Sequence, residues 1–139
     1  MRFETTQFEK NLDYKKISLD FGTFYLCNSF FVSEINNDIH LDEVKVEHIL
    51  HTLVAHYGKN ASVTFISNRI NSYSSDPQLW VNMLTKYDIF NSGVIVFYNL
   101  SNLMNFEIER HICPKDIKGF SALTDAINWA MQLKKVKSN

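Results

Sequence analysis

Glycine and proline are scarce in this chain, whose 139 residues include four glycines and two prolines. Long flexible linkers are rich in glycine, serine or proline, so the composition offers nothing to build one from. Phosphate-cradling loops of the GxGxxG or GxxxxGK kind are absent as well. We therefore expect residues 1–139 to form a single domain that lacks the common nucleotide-binding motifs.

Cysteine is equally sparse, and no strong excess of charge or long apolar run is present. Cys27 and Cys113 lie far apart without CxxC spacing, which is typical of reduced, mostly buried thiols. The longest strongly apolar run, Val94–Tyr98, is far too short to span a bilayer. The polar N-terminal residues do not resemble a signal peptide. These features predict a soluble, cytoplasmic protein without stable membrane insertion.

The formal net charge is −1, and basic residues form no stripe that would attract phosphate backbones. Three C-terminal lysines form the nearest approach to a basic cluster: Lys134, Lys135 and Lys137. A solvated helix end, favoured by the helix dipole, accounts for them. Nucleic acid is therefore not an expected partner.

Short β-rich segments open the chain after residues 1–13, which we expect to form a loosely held lead-in. Turn residues separate three predicted strands of an antiparallel meander: Tyr14–Leu19, Thr23–Cys27 and Phe30–Glu34. The clearest helix follows over Asp42–Tyr57, where apolar residues recur at helical spacing. Asp42 can cap its start, and Gly58 can end it in a left-handed conformation.

Strands and helices alternate through the rest of the chain. Further strands are predicted at 62–67, 93–98 and 117–120. Helices are predicted to start at Asp76-Pro77, with Trp80 on the buried stripe, to run from Leu100 to His111, and to follow a Ser121 cap. The expected fold class is α/β, with a small mixed sheet of about five or six strands and four helices.

The candidate working site is the stretch SVTFISNRINSYSSDP at residues 62–77, where an apolar strand stops in a polar loop that leads into a helix. Ligands and partners of α/β folds are usually met at the carboxyl ends of strands. The helix start favours negative charge, and Arg69 is the stretch's single cation. Alternatively, the loop satisfies its own hydrogen bonds and Arg69 pairs with Asp76. The predicted binding residues are Ser67, Asn68, Arg69, Asn71, Tyr73, Ser74, Ser75 and Asp76.

Three segments resemble the STAS domains of anti-sigma-factor antagonists, and more closely the small bacterial proteins of SpoIIAA-like fold that largely lack an assigned function. The segments are Phe65-Ile66-Ser67-Asn68-Arg69, Tyr73-Ser74-Ser75-Asp76-Pro77 and Ala126-Ile127-Asn128-Trp129-Ala130. The resemblance implies a SpoIIAA-like fold over nearly the whole chain. Phosphorylatable members carry an Asp-Ser-Ser/Thr-Gly signature. Here no Asp precedes Ser74-Ser75 and no Gly follows, so the resemblance implies the fold rather than the antagonist role.

Other groups of polar residues give weaker evidence for a functional site. His48 and His51 are three residues apart on a predicted helix but lack a convergent third ligand, so no metal site is predicted. Glu107 and Glu109 diverge on a helix, and Glu107 is expected to form a surface pair with Arg110 or His111. Neither cysteine is directly adjacent to a histidine in sequence, with His111 two positions before Cys113, and no GxSxG elbow occurs. No cofactor is expected.

These observations favour a non-enzymatic binding or regulatory module that acts through protein contact at residues 67–77. The alternative is a small-molecule or lipid-binding domain with an apolar pocket between sheet and helices, near Phe65, Phe97 and Trp80. An enzyme is the least favoured of the three. Homodimerisation through an edge strand of the meander is a further alternative that the sequence leaves open.

Overall fold

The computed structural model describes residues 1–113 and 116–138, apart from the side chains of Trp80 and of residues 134–138. The stripe position predicted for Trp80 and the cluster Lys134, Lys135 and Lys137 therefore lie outside the described side chains. Among the described residues, no helix combines the length and the apolar character needed to cross a membrane.

A mixed sheet of six strands forms the centre of the structure. In spatial order its strands are β1 (Lys15–Leu19), β2 (Gly22–Leu26), β3 (Phe30–Ile35), β5 (Val63–Asn68), β7 (Phe90–Val96) and β8 (Ile117–Phe120). The first three pair antiparallel, and β3, β5, β7 and β8 pair in parallel. The predicted meander followed by β–α units is confirmed.

Two short strands, β4 (His40–Leu41) and β6 (Ser74–Ser75), form a separate parallel pair. The helices are α1 (Phe8–Asn11), α2 (Glu43–Tyr57), α3 (Pro77–Lys86), α4 (Leu100–Ile112) and α5 (Leu123–Ser138). Four of these five were predicted. The α1 turn was missed because four residues are too few to show helical periodicity.

The helix boundaries follow from local capping chemistry. Asp42 accepts a hydrogen bond from the Lys45 N–H at 2.9 Å, which confirms the predicted cap of α2. Gly58 ends that helix with a φ of 91°, in the left-handed region that favours glycine, as predicted. The predicted Ser121 cap is wrong, because α5 begins at Leu123 and the carbonyl of Ala122 accepts the Ala126 N–H.

Three helices cover one face of the sheet. The connections that follow β3, β5 and β7 each lead to the next strand in the same direction, and right-handed crossovers then place their helices on a common side. Accordingly, Leu53 of α2, Leu84 of α3 and Phe106 of α4 belong to one apolar cluster with Phe65 and Ile95 of the sheet.

The opposite face is covered by α5 and by the N-terminal residues. Phe3 is fully buried and Phe8 is 6% exposed, both in a cluster with Val94 of the sheet and Ile127 of α5. The Phe3 ring packs on Tyr25 with ring centres 4.6 Å apart. The expected loosely held lead-in at residues 1–13 is therefore wrong. The segment is polar on average, but two of its residues, Phe3 and Phe8, are buried in the core.

Phe3→Ala should lower the free energy of unfolding by about 3–5 kcal/mol, because it opens a cavity where an aromatic ring is completely buried. Phe3→Leu keeps most of the apolar volume and should cost much less. Urea unfolding of the two variants and the parent checks this. Equal, near-zero losses in both variants would mean that the segment does not contribute to the core.

Candidate functional site

The predicted loop lies at the carboxyl edge of the sheet. Ser67 and Asn68 are the last two residues of β5, and the Arg69 N–H donates to the carbonyl of Val96 at the end of β7. The loop is then held by β6, in which Ser74 pairs with His40. A two-residue strand has no readable alternation of side chains, so sequence analysis treated this segment as irregular.

Arg69 forms a buried ion pair with Glu109 of α4. Its Nη2 donates to Glu109 Oε2 at 2.7 Å, and the two side chains are 6% and 5% exposed. Burial opposes the charge on Arg69, but electrostatic interactions with Tyr73 and Glu109 outweigh it, so the pKa of Arg69 is raised. The guanidinium thus stays protonated, and its positive charge is balanced within the protein by the Glu109 carboxylate.

The alternative prediction that Arg69 pairs with Asp76 is wrong. Asp76 Oδ1 instead accepts the Gln78 N–H at 2.9 Å and caps α3, because it lies directly before the first residue of that helix. The residue that does pair with Arg69 is 40 positions away in sequence. Glu107 forms the predicted surface pair with Arg110, at 3.1 Å, which is confirmed.

Hydroxyl groups complete the environment of Arg69. Its Nε donates to Ser67 Oγ at 3.4 Å, and Ser67 Oγ lies 3.2 Å from the Tyr73 hydroxyl. Asn71, a little further along the loop, donates to the carbonyl of Ile35 at 2.9 Å. Four of the predicted binding residues, Ser67, Arg69, Asn71 and Tyr73, are therefore engaged within the protein and brace the loop.

Asn68 points to the opposite face, as alternation along a strand requires. Its Nδ2 donates to Glu34 Oε2 at 2.9 Å and to the carbonyl of Met1 at 2.8 Å, while its Oδ1 accepts from the Tyr98 hydroxyl. Burial, with a contribution from Glu34, raises the pKa of Tyr98 to about 12. Asn68 thus fastens the N-terminal residues to the sheet, away from Arg69.

An open groove remains beside the loop. It has a volume of about 540 Å³ and lies between residues 69–77 and the start of α4. Its exposed polar residues are uncharged: Asn37, Ser72, Ser74, Asn99, Ser101 and Asn105. Ser75 lines it and is half-buried, whereas Asp76, which is exposed, lies just before the lining residue Pro77.

Two helix starts border this groove, and both are capped by side chains. Asp76 caps α3, and Asn99 Oδ1 accepts the Asn102 N–H at 2.8 Å at the start of α4. The backbone donors that would attract an anion are therefore partly occupied. Within residues 1–113 and 116–138, no group of three His, Cys, Asp or Glu side chains is placed to hold a metal ion.

The space between the sheet and its helices is small. A cavity of about 40 Å³ lies among Phe24, Phe31, Phe65, Met83 and Phe90. Small-molecule sites typically occupy roughly 300–1,000 Å³, whereas a cavity of this size suits a few water molecules. The described packing therefore does not favour the alternative of a lipid-binding pocket near Phe65.

Three residues that organise this edge were not predicted from the sequence: Glu34, Tyr98 and Glu109. Glu34 lies inside β3 and Glu109 inside α4, where a carboxylate in sequence normally indicates a solvent-facing position. No sequence signal distinguishes these two from surface residues. Their role depends on which strands and helices become neighbours.

Comparisons with known proteins give a likeness of fold. No family model matches this chain, and no curated protein matches it. Among solved structures, it is similar to an uncharacterized protein of the DUF3478 family from Shewanella loihica PV-4, described as having a SpoIIAA-like fold. The identity is 13% and the TM-score 0.49, with 86% of this chain and 93% of the other covered. The SpoIIAA-like fold given for that protein is also the fold that the sequence resemblance implies.

Glu109→Gln should lower the free energy of unfolding by about 3–5 kcal/mol, because it leaves the buried Arg69 charge unpaired. Glu107→Gln is the matched control on the same helix. Its carboxylate is about half exposed, so its loss should cost at most about 1 kcal/mol. Similar losses in both variants, measured by urea unfolding, would mean that the 69–109 pair is not buried in solution.

Cys27 lines a separate groove that also includes His56, yet its thiol is poorly suited to nucleophilic chemistry. Burial raises its pKa to about 12. At pH 8 we expect an aromatic disulfide reagent to modify Cys27 only after unfolding, with Cys27→Ser identifying its signal. The stability contributed by the neutral thiol is present below pH about 9 and is lost as pH rises toward 12. Rapid modification of native Cys27 at pH 8 would contradict the expected protection of the thiol.

Proposed function

We propose that this chain is a non-enzymatic binding module that recognises a protein partner through the groove beside residues 69–77. The observation that carries the proposal is the groove's lining of exposed, uncharged hydrogen-bonding side chains. Amides and hydroxyls of this kind can donate to and accept from the peptide groups of a partner, and they incur little desolvation penalty compared with charges.

The rigidity of the groove walls supports the same proposal. One wall ends in the Arg69–Glu109 pair, and the other is the capped start of α4. A preformed surface loses little conformational entropy when a partner binds. The bracing side chains Ser67, Asn68, Arg69, Asn71 and Tyr73 would then position the surface, and Ser74, Ser75 and Asp76 would lie at or beside the contact.

Arg69 and Tyr73 are unsuitable targets for testing this function, because changing either disturbs buried hydrogen bonds of the fold. Ser72 and Ser62 are better probes. Both are exposed serines that flank β5, but Ser72 lines the groove and Ser62 lies at the other end of the strand. In two separate variants, each serine is replaced by photo-reactive benzoylphenylalanine. The two variants then report on protein contacts near opposite ends of β5.

Irradiation of cells that carry the Ser72 probe should yield a discrete cross-linked product with another protein, identified by mass spectrometry. The Ser62 probe should not yield that product. A second change in the groove, Asn105→Arg at an exposed position of α4, should remove it while thermal unfolding stays unchanged. If the two probes give the same products, or if Ser72 gives none, groove recognition of a protein is contradicted.

A further inference from the structure

A second surface of the molecule is apolar and exposed. Seven large hydrophobic side chains are exposed among the described residues, and five of them lie between positions 98 and 112. Four belong to α4: Leu100 at 71%, Met104 at 59%, Ile108 at 53% and Ile112 at 42% exposure. Concentrated apolar exposure of this kind marks an interaction surface rather than random scatter.

The four side chains recur every fourth residue, so each lies about 40° around the helix from the one before and the stripe winds across the outer side of α4. The inner side of the same helix is fixed by Phe106 and Glu109, which are 5% and 4% exposed. The Phe106 ring packs closely over Gly119 of β8, where an added Cβ would lie 2.7 Å from the ring. The helix therefore cannot rotate to bury its outer stripe against its own sheet.

We propose that this stripe packs antiparallel against the same stripe of a second copy of the chain. A two-fold axis midway between Met104 and Ile108 places Met104 opposite Ile108 of the second copy. Rows of this spacing pack against each other with the helix axes crossed at about −50°, so Leu100 and Ile112 of the second copy meet at the margins of the contact. The stripe is thus complementary to itself when reversed, which is the requirement of an isologous interface.

Charge does not oppose this arrangement. Glu107, beside the stripe, is paired with Arg110 at 3.1 Å, and the formal net charge of the chain is only −1. The antiparallel arrangement also brings the opposite ends of the two helix dipoles together. By contrast, the exposed edge strand β1 carries Lys15 and Lys16, a feature that discourages pairing of sheet edges.

The size of the stripe indicates a weak dimer. From Leu100 to Ile112 it extends about 18 Å along the helix. Two helices that meet over part of that length bury less than the roughly 1,200 Å² that marks the lower end of stable complexes. We therefore expect a reversible dimer that is well populated at about 100 µM and dissociates upon dilution toward about 1 µM.

The test is sedimentation velocity of the purified full chain across that concentration range, with variants that report the register. Met104→Glu and Ile108→Lys should each weaken dimerisation at least tenfold, because each places an unpaired charge in the apolar interface. In the double variant Met104→Glu/Ile108→Lys, opposite charges face each other across the axis, and the dimer should be regained at low salt. Val44→Glu, at a 76% exposed site on α2, is the matched control and should leave dimerisation unchanged.

A chain that stays monomeric up to several hundred µM would overturn the proposal, even if another protein binds the stripe. So would an effect of Val44→Glu equal to that of Met104→Glu. Single variants that dissociate without any recovery in the double variant would overturn the antiparallel register. Unfolding curves of all variants ensure that only folded chains are compared. Ile108 also lines the groove, so the two surfaces adjoin. Sedimentation of the purified chain alone measures the dimer without any other protein, and Ser72 lies outside the stripe, so the two proposals can fail separately.

Discussion

The buried ion pair between Arg69 and Glu109 is the interaction on which this end of the molecule depends. It joins the end of β5 to α4 across 40 residues of sequence, at 2.7 Å and with both side chains nearly inaccessible. Two charges removed from water gain little net stability compared with a well-packed apolar pair. What they do provide is position, because a displaced helix would leave either charge unpaired in the interior. The position of α4, and with it one wall of the groove, follows from this pair.

That same helix presents three different surfaces, and each has its own chemistry. Phe106 and Glu109 anchor it to the sheet and to Arg69. Asn99, Ser101 and Asn105 line the polar groove. The stripe that begins at Leu100 faces outward. Because a helix turns by about 100° per residue, thirteen residues suffice to face core, groove and solvent, and Ile108 lies where the groove and the stripe adjoin.

Much of the fold could be predicted from sequence because its elements are long and strongly patterned. The α2 helix shows an apolar residue at almost every core-facing position, and Asp42 and Asp76 cap helices at the predicted residues. The errors involve short elements or tertiary context. The turn of α1, the bridge between β4 and β6, and the burial of Phe3 all depend on contacts with distant parts of the chain.

The candidate site was predicted in location but not in internal chemistry. A polar loop after a buried strand correctly indicated the carboxyl edge of the sheet. Alternation along β5 then separated Ser67 from Asn68, so two neighbours in sequence serve two faces. The partner of Arg69 could not be inferred, because Glu109 is indistinguishable in sequence from the solvent-facing Glu107 two positions before it. Only the packing of α4 assigns one carboxylate to the interior and the other to the surface.

The surroundings of Arg69 support the proposal that this edge acts by contact rather than by bond-breaking chemistry. An acid–base or anion site needs a charged group that is buried enough to be tuned and open enough to reach a substrate. Arg69 meets the first condition and fails the second, since Glu109, Ser67 and Tyr73 occupy its surroundings. The groove residues that do reach solvent, such as Ser72 and Asn105, carry no charge, and the exposed Ser74 hydroxyl lies 2.8 Å from Nδ1 of His40. A surface of neutral donors and acceptors on a rigid frame discriminates by shape and hydrogen-bond pattern, which are the terms in which one protein recognises another.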